Sequence, residues 1–140
     1  MIPDLRKALT ETFVFGIKAQ IFHWNVVGPG FPSYHSLFGD IYADAQSAVD
    51  ALAERLRTLD ALAPTSPMAL TEGTRIRFST EILSAPAMVH QLLKDNDIVI
   101  LSLRAAFISA DPFSPGLSDF LQSRLDIHAK WGWMLKATGV

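Results

Sequence analysis

The sequence contains no cysteine among its 140 residues, and charged residues are scarce. Without cysteine, disulfides, thiol catalysis, iron–sulfur clusters and cysteine-ligated zinc sites are excluded, which is compatible with a reducing cytoplasm. Only 19% of the residues are charged, against about 25% in an average soluble protein, whereas 49% are hydrophobic. This balance predicts more apolar surface than a small monomer can hide, so we expect partner subunits.

Long apolar runs and basic runs are also lacking. The longest apolar stretch, residues 98–110, contains Arg104 and is shorter than the roughly 20 residues that span a bilayer. Residues 1–7 do not have the pattern of a signal peptide, and we therefore expect a cytoplasmic protein. Because 12 Lys and Arg stand against 14 Asp and Glu, DNA binding is not expected either.

Helical periodicity is what the sequence does contain. Apolar residues recur every three or four positions in four long segments bounded by proline or glycine. The predicted helices run up to the break at residues 28–32, from Ser33 to Ala63, from Ser84 to the link at residues 111–114, and from Ser114 to the end, with a short helix at residues 68–70. One all-α domain over residues 1–140 follows: a four-helix bundle with a crossover between its second and third long helices.

Four side chains in the first half are candidate metal ligands. His23 and His35 flank the Gly/Pro break, and Asp50 and Glu54 lie one turn apart on the second helix. Each also has an ordinary explanation as a core histidine, a first-turn polar residue or part of a solvated face. An i, i+4 carboxylate pair presents its oxygens together, however, and imidazole is a common ligand of iron, zinc or manganese.

The spacing of these residues limits how they can meet. His35 and Asp50 are 15 residues apart, which is about 22 Å along a helix. The two side chains cannot share a metal within one chain. Two copies of the second helix packed antiparallel about a two-fold axis would bring them together and would bury apolar surface as well.

The segments that carry these residues resemble the Dps family of ferritin-like mini-cage proteins. The similarity runs through HWNVVGPGF at residues 23–31, YHSLF at 34–38, DALAER at 50–55 and HAKWGWMLKA at 128–137. It covers nearly the whole chain. The intervals from His23 to His35, Asp50 and Glu54 match the family pattern without insertion, which makes the resemblance specific.

The resemblance implies a homododecamer of ferritin-like subunits that oxidises ferrous iron, characteristically with hydrogen peroxide, and stores the ferric mineral inside its shell. Such a ferroxidase protects a cell against oxidative stress. By this resemblance His23 and His35 of one subunit and Asp50 and Glu54 of its two-fold mate bind the iron, and Trp24 stands beside it. No catalytic residue apart from these ligands, and no organic cofactor, is expected.

One position departs from the family pattern. The family has an acidic ligand four residues after the second histidine, where this chain has Gly39. Asp40 is rotated by about 100° around the helix, so it replaces that ligand only if the helix distorts. The alternative is that Asp40 and Asp44 form an acidic stripe on which mineral nucleates inside the cage. The centre then holds one metal, recruits water or oxidises iron slowly, and the sequence does not choose among these.

Other polar residues carry weaker expectations. Asp119 matches a family position that lines three-fold pores, with Asp111 and Asp126 as lesser candidates, although an acidic residue opposing the helix dipole explains Asp119 equally well. His128 lies on the apolar face of the last helix and is expected to be a packed, hydrogen-bonded residue. His90 has no acidic residue four positions away and is not expected to bind metal.

Two further functions compete with iron storage. A DNA-compacting role is known in some members of the family, but this sequence has no Lys-rich tail and its net charge is −2, so phosphate neutralisation has no obvious surface. A shell whose centre is impaired or prefers a metal other than iron is the second alternative, and Gly39 is the observation that favours it.

Overall fold

The computed structural model describes residues 1–110 and 112–139. These residues form five helices and no strand. The helices are α1 (Ile2–Asn25), α2 (Phe31–Thr58), α3 (Pro67–Thr71), α4 (Ala85–Ala110) and α5 (Pro115–Thr138). The prediction of an all-α fold with four long helices is confirmed, as is that of a short helix in the long link.

The start of α2 differs from the prediction. The helix begins at Phe31, two residues before Ser33, because Gly30 at the N-cap takes a left-handed φ of 80°, a conformation that glycine adopts readily. Pro32 then falls in the first turn. The backbone N–H groups of the first turn have no hydrogen-bond partner within the helix, so a proline at this position does not interrupt the helix.

The end of α2 differs as well, since the helix stops at Thr58 and does not reach Ala63. Asp60 has a left-handed φ of 61°, and the N–H of Ala61 donates to the carbonyl of Leu56 at 3.0 Å. This is the hydrogen bond that satisfies a free carbonyl at the end of a helix.

The four long helices pack as two antiparallel hairpins, α1 with α2 and α4 with α5. α1 contacts both α2 and α4, and α3 in the crossover link also lies against α1. One apolar cluster between the helices contains the largest fully buried side chains: Phe15, Phe38, Leu5, Leu9, Ile41, Leu52, Leu56, Ile76, Leu92, Leu103, Leu121 and Leu135. This is the predicted bundle with a crossover. Among the described helices none is long and apolar enough to cross a membrane.

Buried charges hold the crossover link on α1. The carboxylate of Glu11, fully buried, accepts hydrogen bonds from the Thr74 hydroxyl at 3.0 Å and from the Arg75 N–H at 2.8 Å. Two turns further along the same helix, Lys18 donates to the backbone oxygen of Arg77 in the link at 2.6 Å and forms an ion pair of 2.8 Å with Asp95 of α4. Because buried charges are tolerated only when they are paired and hydrogen-bonded, these contacts fix the path of the link.

Candidate metal centre

Two histidines face each other where α1 turns into α2. His23 lies in the last turn of α1 and His35 in the second turn of α2, and their rings stack with centroids 3.7 Å apart and planes inclined by 12°. Each Nδ1 lies 2.6 Å from the backbone oxygen of the other histidine. A carbonyl only accepts, so each Nδ1 carries a proton and donates it. In the neutral rings the lone pair is therefore on Nε2, the atom suited to binding a metal.

One aromatic side chain packs on this histidine pair and a second is its neighbour in the sequence. The ring of Phe31 stacks on His35 with a centroid distance of 5.1 Å. Trp24, next to His23, is 64% exposed, so its ring is not part of the bundle core. Phe31 covers one face of the pair, and the two imidazoles are half-buried.

The imidazole of His23 lies directly over Gly39. A Cβ atom at position 39 would come within 2.8 Å of Cε1 and 2.9 Å of Nδ1 of that ring, closer than such atoms approach in proteins. Asp40 is exposed on α2 and does not join the histidines, since residues 1–110 and 112–139 contain no group of three His, Cys, Asp or Glu side chains able to hold a metal ion.

Asp50 and Glu54 lie on the exposed surface of α2, far along the helix from the histidine pair. The hydrogen bond that the protonated Glu54 carboxyl donates to Asp50, followed by the negative charge of Asp50 and by slight desolvation, raises the pKa of Glu54. The two carboxyl groups are thus close enough to share a proton or a cation, as their spacing predicts. Each half of the predicted ligand set is assembled, but one chain does not bring the halves together.

A groove of about 540 Å³ runs between α1 and α2 and includes Asp50 among its lining residues. The rest of the lining is mostly apolar and consists of Phe13, Gly16, Ile17, Gln20, Tyr42, Ala45, Gln46, Val49 and Ala53. Apolar surface of this kind on the helix that carries the candidate ligands suits contact with another protein surface.

His128 is in a different environment. It is fully buried; its Nδ1–H donates to the side-chain oxygen of Asn96 at 2.8 Å, and its Nε2 accepts from Arg124 at 3.1 Å. Burial, with the charge of Arg124 as a second cause, lowers the pKa of His128 to about 3. Both ring nitrogens are occupied within the protein, so His128 is the packed residue that its position on α5 predicts.

Asp44 belongs to the same buried network, which corrects the predicted acidic stripe. Its two oxygens each lie 2.8 Å from the guanidinium of Arg124, and the indole N–H of Trp131 donates to it at 3.0 Å. Burial opposes ionisation, but these hydrogen bonds and the Arg124 charge leave the pKa of Asp44 lowered. The carboxylate is neutralised inside the chain, so only Asp40 of the stripe is exposed.

Sequence reasoning did not identify Arg124 as Asp44's partner. A signal was available, because Arg124 falls between Leu121 and His128 on the apolar stripe of α5, where a charged side chain needs a buried partner. Asn96 gave no comparable signal. Its amide also donates to the backbone oxygen of His128 at 2.9 Å.

The remaining candidates lie on the surface. Asp119, Asp126 and His90 are exposed, and Asp111 lies outside the described residues. The exposure of Asp119 near the start of α5 suits a pore-lining carboxylate and an ordinary surface acid equally, so the pore stays a prediction.

Known proteins resemble this chain over almost its full length. The Ferritin-like domain family matches residues 2–138. An uncharacterized low temperature-induced protein of Nostoc is 33% identical over 95% of this chain and 76% of its own length, and antigen TpF1 of Treponema pallidum is 32% identical over 96% and 77%.

Solved structures agree with these sequence relatives. A Dps protein from Bacillus brevis superposes with a TM-score of 0.91 and 29% identity, covering 98% of this chain and 93% of its own. The DPS protein from Vibrio cholerae, described as a member of a broad superfamily of ferritin-like diiron-carboxylate proteins, has a TM-score of 0.89 and 26% identity over 97% and 86%. With the all-helical fold and the paired histidines, these matches show that the chain belongs to the Dps family of ferritin-like proteins.

Proposed function

We propose that this protein is the subunit of a cytoplasmic iron-storage shell that oxidises ferrous iron at centres shared between two subunits. Membership of the ferritin-like family supports iron storage as the general role. Hydrogen peroxide is the proposed oxidant and a homododecamer the proposed assembly. Protection against oxidative stress follows, because both ferrous iron and peroxide are consumed at one place.

The observation that carries this proposal is the separation of two half-sites on one helix. The stacked histidines, with Nε2 available, lie near the start of α2, and the carboxyl pair lies about 22 Å further along it. An antiparallel pair of α2 helices around a two-fold axis near Ala43 and Asp44 places the histidines of one copy beside the carboxyls of the other, twice. The same pairing covers the apolar groove between α1 and α2.

The resulting donor set fits ferrous iron. Two neutral imidazole nitrogens and two carboxylates suit iron better than an all-oxygen or all-sulfur set would, and the two carboxylates balance the ion's charge. Positions remain open for water or peroxide. Each peroxide molecule takes one electron from each of two ferrous ions and, with two protons, gives two waters. The protein's part is to position iron and oxidant and to keep them apart from other reactants.

Surface acids complete the proposed path of iron. Asp119 would line a three-fold pore whose ring of carboxylates attracts cations. Asp40, exposed on α2, would offer a nucleation point for the mineral.

The test is peroxide-driven iron loading of the purified protein. Ferrous iron is added without oxygen, peroxide follows, and the ferric absorbance and the iron that co-elutes with the shell are measured. Glu54→Gln, which removes one charge at constant size, is expected to slow oxidation by about tenfold or more. Glu72→Gln changes an exposed glutamate of the link and should behave as the wild type. Wild-type rates in Glu54→Gln would contradict the site, and absence of shell-bound iron would contradict the function.

A divalent metal other than iron is the second candidate substrate of the same centre. Position 39 supplies no ligand, since the His23 imidazole fills the space above Gly39. The proposed ligands are therefore two imidazole nitrogens and two carboxylates, a set that also suits zinc or manganese. Preloading the shell with Zn²⁺ before iron separates the two. If Zn²⁺ inhibits iron oxidation and excess iron does not reverse the inhibition, the centre prefers the other metal.

A further inference from the structure

A second groove lies between the first turns of α1 and the crossover link, and we call it the link groove. Its volume is about 500 Å³, and its polar lining comes from Arg6, Lys7 and Thr10 of α1 and from Glu72 and Gly73 of the link. It shares no lining residue with the groove between α1 and α2 that the proposed pairing of subunits covers. A volume of this size is typical of sites for small organic ligands.

The hydroxyl of Thr10 is an unused hydrogen-bonding group in this groove. Thr10 is only 7% exposed, yet its hydroxyl forms no hydrogen bond within the described residues. The threonines near the ends of three other helices, Thr58, Thr71 and Thr138, each donate to a backbone oxygen three or four residues earlier. Because a buried hydroxyl without a partner costs free energy, the Thr10 side chain is suited to a bond with a molecule in the groove.

The other polar groups of the lining are mostly donors with a positive charge. Arg6 is half-buried and Lys7 exposed, and neither forms an ion pair within the described residues. Opposite them, Gly73 has a φ of 79° and no atom within 4 Å of the place of a Cβ. Its backbone N–H has no partner in the described chain. Glu72 is exposed, so its carboxylate is screened by water and the lining keeps a net positive charge.

We infer that the link groove binds a phosphate monoester. Arg6 and Lys7 hold the phosphate from α1, because a guanidinium pairs with two phosphate oxygens at once and an ammonium adds charge. The Thr10 hydroxyl and the Gly73 N–H donate to the remaining oxygens. The groove is much larger than a phosphate ion, and apolar contacts for the rest of the ligand are offered by Pro3, Pro64 and Ala69. This site is separate from the candidate metal centre and does not depend on iron.

Calorimetric titration of the assembled wild-type protein tests this inference, at low salt and in a buffer free of phosphate. Phenyl phosphate is the probe, and phenol is its matched control without the phosphate. We expect phenyl phosphate to bind, phenol not to bind, and inorganic phosphate to bind about fivefold more weakly because it lacks the apolar body. No binding of phenyl phosphate would overturn the site. Inorganic phosphate bound as tightly as phenyl phosphate would overturn the monoester as its ligand.

Three variants locate the bound probe. Arg6→Gln should weaken the binding of phenyl phosphate at least about tenfold, and Thr10→Val, which keeps the size of the side chain, about threefold. Arg104→Gln removes an exposed arginine of α4 and should bind as the wild type does. Thermal melts followed by circular dichroism verify that each variant is folded. Wild-type affinity in Arg6→Gln, or an equal loss in Arg104→Gln, would overturn the link groove as the binding site.

Discussion

The histidines of this protein occupy two contrasting environments, the corner between α1 and α2 and the interior beneath α5. In both, an Nδ1–H donates to an oxygen: a backbone carbonyl for His23 and His35, the Asn96 side chain for His128. They differ at Nε2, which in His128 accepts from Arg124 and in the corner pair has no hydrogen bond within the described chain. A histidine whose two ring nitrogens both form hydrogen bonds is structural, whereas a histidine whose Nε2 forms none can bind a metal.

Removing a corner histidine should produce the largest functional effect. His35→Ala deletes one proposed ligand and the hydrogen bond that it donates to the His23 carbonyl. We expect the initial rate of ferrous oxidation to fall by about 100-fold or more, with assembly intact. Stopped-flow absorbance checks the rate and size-exclusion chromatography the assembly. If the variant forms an intact shell and still oxidises iron rapidly, the His23–His35 pair is structural, like His128, and does not bind iron.

Breaking the interior network should instead cost stability. Arg124→Met leaves the Asp44 carboxylate without its cation and removes the donor to His128 Nε2. Loss of one partner of a largely buried ion pair typically costs about 3 kcal/mol, measured as the change in unfolding free energy in urea. Ferrous oxidation per folded subunit should not change. A variant as stable as the wild type would show that the network contributes little.

The interior histidine should also make the protein sensitive to acid. The pKa of His128 is about 3 in the folded chain and near 6.5 once unfolded, so between these values the unfolded state binds more protons. Stability is expected to fall as the pH drops from 6.5 towards 3, by up to about 1.4 kcal/mol per pH unit from this group. Comparing unfolding free energies at pH 6.5 and 4.5 in the wild type and His128→Gln checks this. The variant's smaller loss is the expected result, and equal losses would contradict it.

The surface histidine should produce the smallest effect. His90 is exposed and belongs to neither environment. We expect His90→Ala to change the unfolding free energy by less than about 0.5 kcal/mol and to leave iron oxidation unchanged. A clear loss of oxidation would reveal a metal position that neither environment contains.

Much of the fold was predictable because proline and apolar spacing are local signals. The start of α4 at Ala85 followed from the Ser-Ala-Pro pattern, and the Ser84 hydroxyl caps this helix by accepting from an N–H group at 3.2 Å. The short helix predicted at residues 68–70 spans residues 67–71, and the Ser66 hydroxyl caps it in the same way at 3.1 Å. Proline read as a stop signal was misleading at Pro32, because the first turn of a helix accepts it.

The candidate site was predictable only in part, because some of its features depend on contacts between residues far apart in the sequence. Helix rise alone separates His35 from Asp50, and this argument needs no tertiary structure. The neutralisation of Asp44 depends on Arg124, 80 residues away, and the space over Gly39 is filled by the His23 ring from α1. Contacts between distant helices leave no periodic signal in a single sequence.

The central claim is that each centre is shared between two chains, and complementation tests it directly. Co-assembled His35→Ala and Glu54→Ala chains, each inactive alone, should form one intact centre in every mixed pair, so random pairing restores about a quarter of the wild-type ferroxidase rate. His35→Ala mixed with His23→Ala carries both defects on the same half-site and should restore nothing. No recovery in the first mixture, with pairing verified by differently tagged chains, would contradict a centre shared across the two-fold axis.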